Sequence, residues 1–383
     1  MTERLYYNDC YLKEFDARVV DSDASGTRVY LDRTAFYPTS GGQLFDLGTL
    51  GGVAVTEVVD EDDRIAHVLA GPLKGSEVAG EIDWVRRFDF MQQHTGQHLL
   101  SAVLEELFGW KTVSVHMGTD NCTVDVDAVA VSEVQLEKAE VRCAEIIAQA
   151  RPTAISFEDG AVGLRKESAR EGTLRVVSIE GVDRSACGGT HVRSSAEIGL
   201  VLTGKTEKIR SSIRIEFCCG GRALKRARGD NQLLGAISRA LLVPASQGAE
   251  RIGALMESNK VLDKERQRLV AELAKREGRE LYLATEVGAD GVRRVTVRGV
   301  IDDAVRARAQ AFVVGERAVF LAVSEETCAI LLAASGDSGV NAGERVKRAL
   351  GEVGGRGGGN AALAQGSVPD ARALERVVEM LGS

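Results

Sequence analysis

Short runs of alternating apolar and polar residues fill the first part of the chain, up to about Arg87. Three of them are ARVVDSDASGTRVYLD, GGVAVTEVVDEDDRIAHVLAGPL and GSEVAGEIDW, with turn residues such as Asp-Ala-Ser-Gly between the strand-like parts. Apolar residues at every second position are typical of strands with one buried face, and clusters of Gly, Asp and Ser mark hairpin connections. The pattern therefore predicts a small β-barrel or sandwich.

The spacing of apolar residues changes at Met91. MQQHTGQHLLSAVLEELFGW reads as one helix that ends near Gly109, and VSEVQLEKAEVRCAEIIAQA reads as a second helix that Arg151-Pro152 stops. Strand-like runs lie between and after these helices, among them TVSVHMGTDNCTVDVDA and GLVLTGKTEKIRSSIRIEFCCG. This central block is predicted to be mixed α+β.

Apolar residues at intervals of three and four mark a helical region between about Ala223 and Leu283. The series consists of Ile252, Leu255, Leu262, Leu269 and Leu273, and Asn259 and Arg266 interrupt it. A short dimerising coiled coil and a surface helix packed on a neighbour both fit this spacing.

Strand-like and helix-like segments alternate over about the last hundred residues, which favours an α/β unit. The strands are VTVRGV, AVFLAVS and CAILLAAS, the helices are DDAVRARAQAF and NAGERVKRAL, and GEVGGRGGGNAALAQGSV reads as a glycine-rich loop. The fold class predicted for the whole chain is α+β, in four parts. These parts are a β-barrel-like subdomain (1–88), an α+β core (89–224), a helical arm (225–284) and a C-terminal glycine-rich α/β domain (285–383).

The composition is that of an ordinary globular protein. With 383 residues, of which 44% are hydrophobic and 27% charged, the chain can bury sizeable cores. The first residues resemble no signal peptide, and no apolar run approaches the roughly 20 residues that a membrane span needs. The seven cysteines are odd in number and scattered, which argues against a disulfide framework. We therefore expect a cytoplasmic protein with no membrane partner.

Charge is unevenly distributed along the chain. The formal net charge of −8, taken alone, argues against a nucleic-acid partner. Between Lys205 and Arg228, however, eight basic residues face only Glu207 and Glu216. This segment fits either a contact with a polyanion or a solvated surface, and the candidates for the contact are Lys205, Lys208, Arg210 and Arg214.

Two histidines lie four residues apart in the first predicted helix. His94 and His98 would project from the same face, one turn apart. At roughly 100° per residue, the apolar residues of this helix centre about 150° away from the pair, so the histidines should lie on its exposed face. Only Thr-Gly-Gln separates them, so the glutamate base of the H-E-x-x-H metalloproteases is absent.

A second close pair, Cys187 and His191, flanks a Gly-Gly turn in RSACGGTHV. Glycines let the backbone turn tightly, so both side chains can aim at one point. Three imidazoles and one thiolate in two close pairs suit tetrahedral Zn²⁺. A site with four protein ligands is normally structural, whereas a catalytic zinc keeps one position open, and the spacing leaves both alternatives. His67, in RIAHVL, is interpreted as a structural residue.

Several motifs together resemble the alanyl-tRNA editing proteins of the AlaX type, which are similar to the editing and C-terminal domains of alanyl-tRNA synthetase. They are FYPTSGGQLFDLG (36–48), DWVRRFDFMQQHTGQHLLSA (83–102), RSACGGTHV with the following EIG (184–199) and SSIRIEFCCGGRAL (211–224). In addition, GGRGGGNAALAQG (354–366) resembles the glycine-rich closing domain of the long members of this family.

The resemblance implies a free-standing hydrolase that cleaves the ester between serine or glycine and the tRNA for alanine. It implies Zn²⁺ as cofactor, with His94, His98, Cys187 and His191 at the family's zinc positions, and mischarged tRNA(Ala) as partner. It also implies an N-terminal β-barrel-like subdomain and a zinc-containing α+β editing core. No segment resembles the ATP-binding domain that activates the amino acid, so we expect editing without charging.

Further site residues are expected around the four ligands. A site built to hydrogen-bond the serine hydroxyl disfavours alanine, because its buried polar atoms then stay unpaired. The candidates for substrate selectivity are Thr95, Gln97, Thr112, Ser114 and His116; the loop candidates are Gly41, Gly42, Gly188 and Gly189; and Arg356 is a further candidate for tRNA contact. Gln97 stands where synthetase editing sites commonly have threonine, and Asn360 replaces a basic residue often found after the glycine run.

Two other functions stay open at this point. One is a non-catalytic tRNA-binding protein with a structural zinc. The other is a metallohydrolase acting on small esters or peptides, which the missing glutamate base disfavours. A homodimer through the helical arm or the C-terminal domain is a further expectation.

Overall fold

The computed structural model describes residues 1–160, 162–166 and 172–382. The chain forms two compact units, Met1–Ala236 and Ile237–Ser383, and each contains its own hydrophobic cores. Helices and several separate sheets occur in the same chain, so the predicted α+β class is confirmed. The finer division into four parts stays a prediction.

A closed barrel occupies the amino-terminal part of the first unit. Its region contains β1 (Glu3–Arg4), β2 (Glu14–Ser22), β3 (Arg28–Leu31), β4 (Arg33–Thr34), β5 (Gly48–Leu50), β6 (Val53–Glu61), β7 (Arg64–Leu69) and β8 (Glu77–Ile82). The barrel closes in the order β2-β3-β7-β6-β5-β8, while β1 and β4 pair with each other in parallel. In β8 every second residue is buried, because alternate side chains of a strand point to opposite faces. Leu31, Leu50 and Ile65 belong to the resulting core.

His67 lies inside this barrel and is fully buried. Its Nε2 is 2.8 Å from the hydroxyl of Thr34, and its Nδ1 is 3.4 Å from the carbonyl of Val29. Burial lowers the pKa of this imidazole to about 4, so the ring is neutral near pH 7. The interpretation of His67 as a structural residue is therefore confirmed.

The rest of the first unit is mixed helix and sheet. It contains α1 (Trp84–Phe108), β9 (Thr112–Met117), β10 (Cys122–Val126), α2 (Glu133–Ala148), β11 (Thr153–Asp159), β12 (Thr173–Ile179), β13 (Asp183–Ala186), β14 (Val201–Ile209), β15 (Ser212–Cys219) and most of α3 (Gly220–Leu241). Two antiparallel sheets form, in the orders β14-β15-β10-β9 and β11-β12-β13. Their apolar residues share one core with α1 and α2, including Leu100, Val124 and Ile146.

Helix α1 begins at Trp84, earlier than the predicted start at Met91. The side chain of Asp83 caps it by accepting a hydrogen bond from the amide of Arg86, and Gly109 ends it with a φ of 71°. The apolar pattern hid this first turn because it contains a buried charge. Arg87 is fully buried and pairs with Asp46 of the barrel region.

The histidine face of α1 is buried, so the prediction that it is exposed is wrong. His94 and His98 are only 3% and 5% exposed. The helix is packed on all sides between Phe90 and Leu104, because loops from the barrel region and from β13 cover its polar face as well. An amphipathic pattern marks the side that packs on hydrocarbon, and it gives no information about a polar side that packs on other polar groups.

The second unit is built on one five-stranded sheet. It contains α4 (Gly248–Ala284), β16 (Arg293–Arg298), α5 (Asp303–Phe312), β17 (Ala318–Ser324), β18 (Ala329–Ala334), α6 (Ala342–Val353), β19 (Arg356–Gly359), β20 (Leu363–Ser367) and α7 (Ala371–Gly382). The sheet order is β16-β17-β18-β20-β19, with β16 and β17 parallel and the other neighbours antiparallel. The predicted glycine-rich loop is instead the β19–β20 hairpin. Glycines fit β19 because a Cβ at Gly357 would lie 2.4 Å from the carbonyl oxygen of Gln365.

The apolar series on α4 is exposed. Ile252 and Leu255 are each 44% exposed, and Leu262 is 63% exposed. Dimerisation through this helix stays a prediction. None of the helices in the described part of the chain is long and apolar enough to cross a membrane.

Candidate metal centre

The two predicted ligand pairs meet in the first unit. His94 and His98 lie on α1, and Cys187 and His191 lie in the loop that follows β13. One ligand atom from each residue falls within 4.8 Å of all the others, so the group could hold a metal ion. The Cys187 Sγ is 3.4 Å from the His94 Nε2 and 3.3 Å from the His191 Nε2.

One of the two glycines that follow Cys187 is needed for this approach. A Cβ on Gly189 would lie 2.2 Å from the Cε1 of His94, which is closer than real atoms come. The amide of Gly189 also donates to the Cys187 sulfur over 3.4 Å. A Cβ on Gly188, in contrast, would first meet the Tyr7 hydroxyl at an ordinary 3.5 Å. Gly189 therefore lets the loop lie directly against α1.

Each histidine ring is held from behind through its Nδ1. The Nδ1 of His94 is 2.8 Å from the Oε1 of Gln43, and that of His98 is 2.8 Å from a carboxylate oxygen of Asp183. The Nδ1 of His191 is 3.1 Å from the hydroxyl of Thr95. Such outer hydrogen bonds fix ring orientation in metal sites and leave the Nε2 atoms free for the metal.

Two members of the cluster, Cys187 and His191, have protonation states that suit a bound metal ion. Burial disfavours the Cys187 thiolate, but the adjacent His94 and His191 outweigh it and hold the pKa of this thiol well below its usual value. Burial, reinforced by His94, lowers the pKa of His191 to about 3. A thiolate and a neutral imidazole are the protonation states that metal binding requires.

His98 and Asp183 form a coupled pair behind the cluster. Burial alone would lower the pKa of His98, but the hydrogen bond to Asp183 and the neighbouring Cys187 raise it to about 9. Burial alone would raise the pKa of Asp183, but His98 and Arg165 lower it to about 2. Asp183 is therefore an ionised acceptor for the Nδ1–H of His98.

Three of the four candidate ligands line a cavity of 1190 Å³. They are His94, His98 and Cys187, while His191 lies behind them and is 2% exposed. The cavity exceeds the roughly 300 to 1,000 Å³ of typical small-molecule pockets, so it has room for a group of nucleotide size. Its other walls include Tyr6, Tyr7, Tyr37, Gln97, Thr112, Ser114, Arg165 and Lys166.

One wall of the cavity presents hydrogen-bond acceptors. The hydroxyl of Ser114 donates to Asp125 over 2.6 Å, and Arg214 holds that carboxylate from the other side. The hydroxyl of Thr112 donates to Ser101 over 2.8 Å. Because each hydroxyl carries one hydrogen, these bonds leave the oxygen atoms of Thr112 and Ser114 with only lone pairs to offer.

The structure does not bring every predicted selectivity residue to this cavity. Among the described residues that line it, Thr95, His116 and Gly42 are absent. Thr95 is fully buried, and its hydroxyl is hydrogen-bonded to His191 and to the amide of Val192. His116 is exposed on β9. As direct contacts of a substrate, Thr95 and His116 stay predictions that the lining of this cavity does not support. Gln97, Thr112, Ser114, Gly41, Gly188 and Gly189 do line the cavity.

The basic segment is less free than its sequence indicates. Arg214 is bound to Asp125, and Arg222 is bound to Asp89. Sequence counting missed these carboxylates because they come from distant parts of the chain. Lys205, Lys208 and Arg210 are exposed along and beside β14, and Arg356 is exposed on β19.

Sequence reasoning missed three residues that support the cluster. Gln43 is fully buried between His94 and Thr190, and Asp183 and Arg165 support His98. Their only signal in the sequence is proximity to motifs: Gln43 follows Gly41-Gly42, and Asp183 precedes Cys187 by four residues. Arg165 carries no such signal.

Two family models match parts of this chain. The family model "Threonyl and Alanyl tRNA synthetase second additional domain" matches residues 174–216, which contain Cys187 and His191, and the DHHA1 domain matches residues 282–383. The segment 174–216 is thus similar to an additional domain of threonyl- and alanyl-tRNA synthetases.

Individual relatives define the family more narrowly. Alanyl-tRNA editing protein AlaX-L from Pyrococcus horikoshii is 32% identical over 96% of this chain and 95% of its own length. Alanyl-tRNA editing protein Aarsd1 from Danio rerio is 32% identical over 70% of each chain. Alanine–tRNA ligase from Pyrococcus abyssi is 32% identical over 99% of this chain and 44% of its own length. The chain belongs to the alanyl-tRNA editing protein family, as its motifs predicted.

Proposed function

We propose that this chain is a zinc-dependent hydrolase that deacylates mischarged tRNA(Ala), with Ser-tRNA(Ala) as its main substrate and Gly-tRNA(Ala) as a second. The observation that carries the proposal is the position of the His94, His98, Cys187 and His191 cluster at the wall of a cavity large enough for the aminoacylated end of a tRNA. Membership of the alanyl-tRNA editing family supports the choice of substrate.

The donor set fits zinc. Three imidazole nitrogens and one thiolate are ligands that Zn²⁺ prefers, and their separations of 3.3 and 3.4 Å suit metal bonds of about 2.0 to 2.3 Å. Zinc bound there would supply Lewis-acid chemistry, which polarises carbonyl groups and acidifies water. The bonds from Gln43, Thr95 and Asp183 would keep the three rings in place.

The acceptor wall provides a basis for selectivity. The oxygens of Thr112 and Ser114 can accept from the hydroxyl of a seryl group, and the ammonium group of any aminoacyl ester offers further donors. An alanyl group cannot make the hydroxyl contact, so acceptors that the bound substrate covers would be left without a partner. Gln97 lies beside them, and its amide donates to Ser101 over 2.8 Å.

The backbone amides near the cluster donate to different acceptors. The amide of Gly189 donates to the Cys187 sulfur, and that of Thr190 donates to Gln43. Of the two glycine amides in this turn, we therefore assign only that of Gly188 to the stabilisation of negative charge on the substrate carbonyl. For the tRNA body, we propose contacts with the exposed Lys205, Lys208, Arg210 and Arg356.

A second candidate function is a non-catalytic tRNA-binding protein with a structural zinc. The observation that favours it is the ligand count, because four protein ligands are typical of closed structural sites. The cavity beside three of these ligands favours the enzyme.

A deacylation assay separates the two functions. Zinc-loaded protein should release serine from Ser-tRNA(Ala) and leave Ala-tRNA(Ala) largely intact, and Thr112→Val and Ser114→Ala should narrow the difference between the substrates. If the metal-loaded protein hydrolyses neither Ser-tRNA(Ala) nor Gly-tRNA(Ala), the proposal of an enzyme is wrong, and the non-catalytic tRNA-binding function remains.

A further inference from the structure

Arg165 connects the cavity wall with the back of the candidate metal centre. Its Nε donates to one oxygen of Asp183 over 2.6 Å, and the other oxygen of Asp183 accepts from the Nδ1 of His98 over 2.8 Å. The same arginine also lines the cavity of 1190 Å³. Arg165 thus lines the cavity and is also linked to the candidate ligand His98 through the carboxylate of Asp183.

Asp183 depends on partners because its side chain is completely buried. Its carboxylate receives hydrogen bonds from His98, from Arg165 and from the Ser185 hydroxyl at 3.0 and 3.2 Å. Arg165 brings the permanent positive charge of this set, and its side chain is only 15% exposed. An ionised carboxylate is strongly disfavoured in such a place without an ion-pair partner of good geometry.

We propose that Arg165 is a positioning residue for the metal site. By neutralising and orienting Asp183, it fixes the Nδ1–H form of His98 and aims the Nε2 at the metal. Loss of a group that directly hydrogen-bonds a ligand histidine, as Asp183 bonds His98, typically weakens metal binding 10- to 100-fold. Arg165 acts through Asp183, so its removal should lie at the lower end of this range. The effect on metal binding follows from the geometry alone, and the effect on hydrolysis rests on the proposed function.

The first experiment measures zinc affinity of the full-length protein by competition with a chromophoric chelator. Arg165→Gln should bind zinc about 10-fold more weakly than the unmodified protein. The visible spectrum of the cobalt-substituted protein should change as well, because it reports ligand geometry. In Ser-tRNA(Ala) deacylation at saturating zinc, kcat should fall while KM stays within about twofold.

Two variants separate positioning from a simple loss of charge. Arg165→Lys keeps the charge but loses the planar, directed N–H groups, so its zinc affinity should lie between those of the glutamine variant and the unmodified protein. Lys166→Gln removes the adjacent positive charge of the cavity wall. Because Lys166 is not among the groups bonded to Asp183, this variant should bind zinc with unchanged affinity. Arg165→Gln should add little to the loss caused by Asp183→Asn, because both act through one carboxylate.

Unchanged zinc affinity and an unchanged cobalt spectrum in folded Arg165→Gln would overturn the proposal, and so would an equal loss in Lys166→Gln. If Arg165→Gln does not fold, Arg165→Lys decides, and full zinc affinity in that variant would overturn the proposal. If the unmodified protein fails to hydrolyse Ser-tRNA(Ala) while Arg165→Gln still weakens zinc binding, the proposed function fails and the role of Arg165 stands.

Discussion

The two compact units bury different kinds of side chain. In the second unit, the buried polar residues among those described are Ser324, Ser335 and Ser338, and the core is otherwise aliphatic and aromatic. The first unit buries ionisable groups in several places, among them Asp46, Arg87, His94, Asp183 and His191. Burial of such groups is costly unless each finds a partner, and here they are paired or clustered. The difference teaches that the first unit adds buried charged and polar groups to its apolar cores, some of them in the candidate metal centre, whereas the core of the second unit is almost entirely hydrocarbon.

The largest effect should come from breaking a buried ion pair of the first unit. Arg87→Met leaves the Asp46 carboxylate buried without its positive partner, and should lower the free energy of unfolding by about 3 to 5 kcal/mol. Urea unfolding followed by tryptophan fluorescence measures this, because Trp84 and Trp110, the two tryptophans of the chain, both lie in the first unit.

The matched control is an exposed ion pair of the second unit. Arg298 contacts Glu325 and Glu375 at the surface, with a side chain that is 45% exposed. Arg298→Met should hardly change the urea midpoint measured by circular dichroism. Equal losses of stability in the two variants would contradict the contrast between the units.

The next effect concerns the contact between the cysteine loop and α1. Gly189→Ala places a methyl group on the His94 ring, so zinc affinity and kcat/KM for Ser-tRNA(Ala) should both fall about 100-fold, equivalent to about 2.7 kcal/mol. Gly188→Ala should bind zinc almost normally, because its Cβ meets only the Tyr7 hydroxyl at van der Waals distance. Similar zinc affinities for both variants would show that the loop is not packed as described.

A smaller effect comes from the buried histidine of the barrel. The pKa of His67 is about 4 in the folded chain and about 6.5 in the unfolded chain, so the unfolded chain takes up the proton first as the pH falls. The contribution of the neutral His67 ring to the free energy of unfolding is therefore complete above pH 6.5. It is lost as the pH falls from 6.5 to 4. From pH 7 to 5 the loss amounts to about 2 kcal/mol.

His67→Asn tests this contribution. The variant should be less stable at pH 7, because it loses packing inside the barrel, but its unfolding free energy should fall less steeply between pH 7 and 5 than that of the unmodified protein. Identical pH dependence of the two proteins, measured by tryptophan fluorescence, would mean that His67 is not buried in its neutral form.

The contrast between the units also explains what the sequence could predict. In the second unit, β17 and β18 follow from continuous apolar runs and α6 from apolar periodicity, because apart from Ser324 their buried positions are apolar. The exception is β19, where a run of exposed glycines has no alternation to read. A glycine-rich edge strand has no apolar side chains, so its hydrophobic pattern cannot be distinguished from that of a loop.

In the first unit the motifs predicted which residues form the candidate metal cluster, but the hydrophobic pattern failed around them. The buried Arg87 hid the first turn of α1, and the polar packing of His94 and His98 was mistaken for exposure. Gln43 and Asp183 act through hydrogen bonds from distant segments, which local periodicity does not encode. The spacing of residues in the sequence is enough to indicate the two close pairs of candidate ligands. The residues that orient these side chains can be identified only from the tertiary structure.

The central claim is that the buried cluster of the first unit binds the zinc on which hydrolysis depends. Zinc content per chain and kcat/KM for Ser-tRNA(Ala) should be measured together on Cys187→Ala, with Cys328→Ala as the control from the second unit. We predict that Cys187→Ala loses both zinc and hydrolysis, while Cys328→Ala keeps both. Full hydrolysis by a zinc-free Cys187→Ala protein would contradict the account.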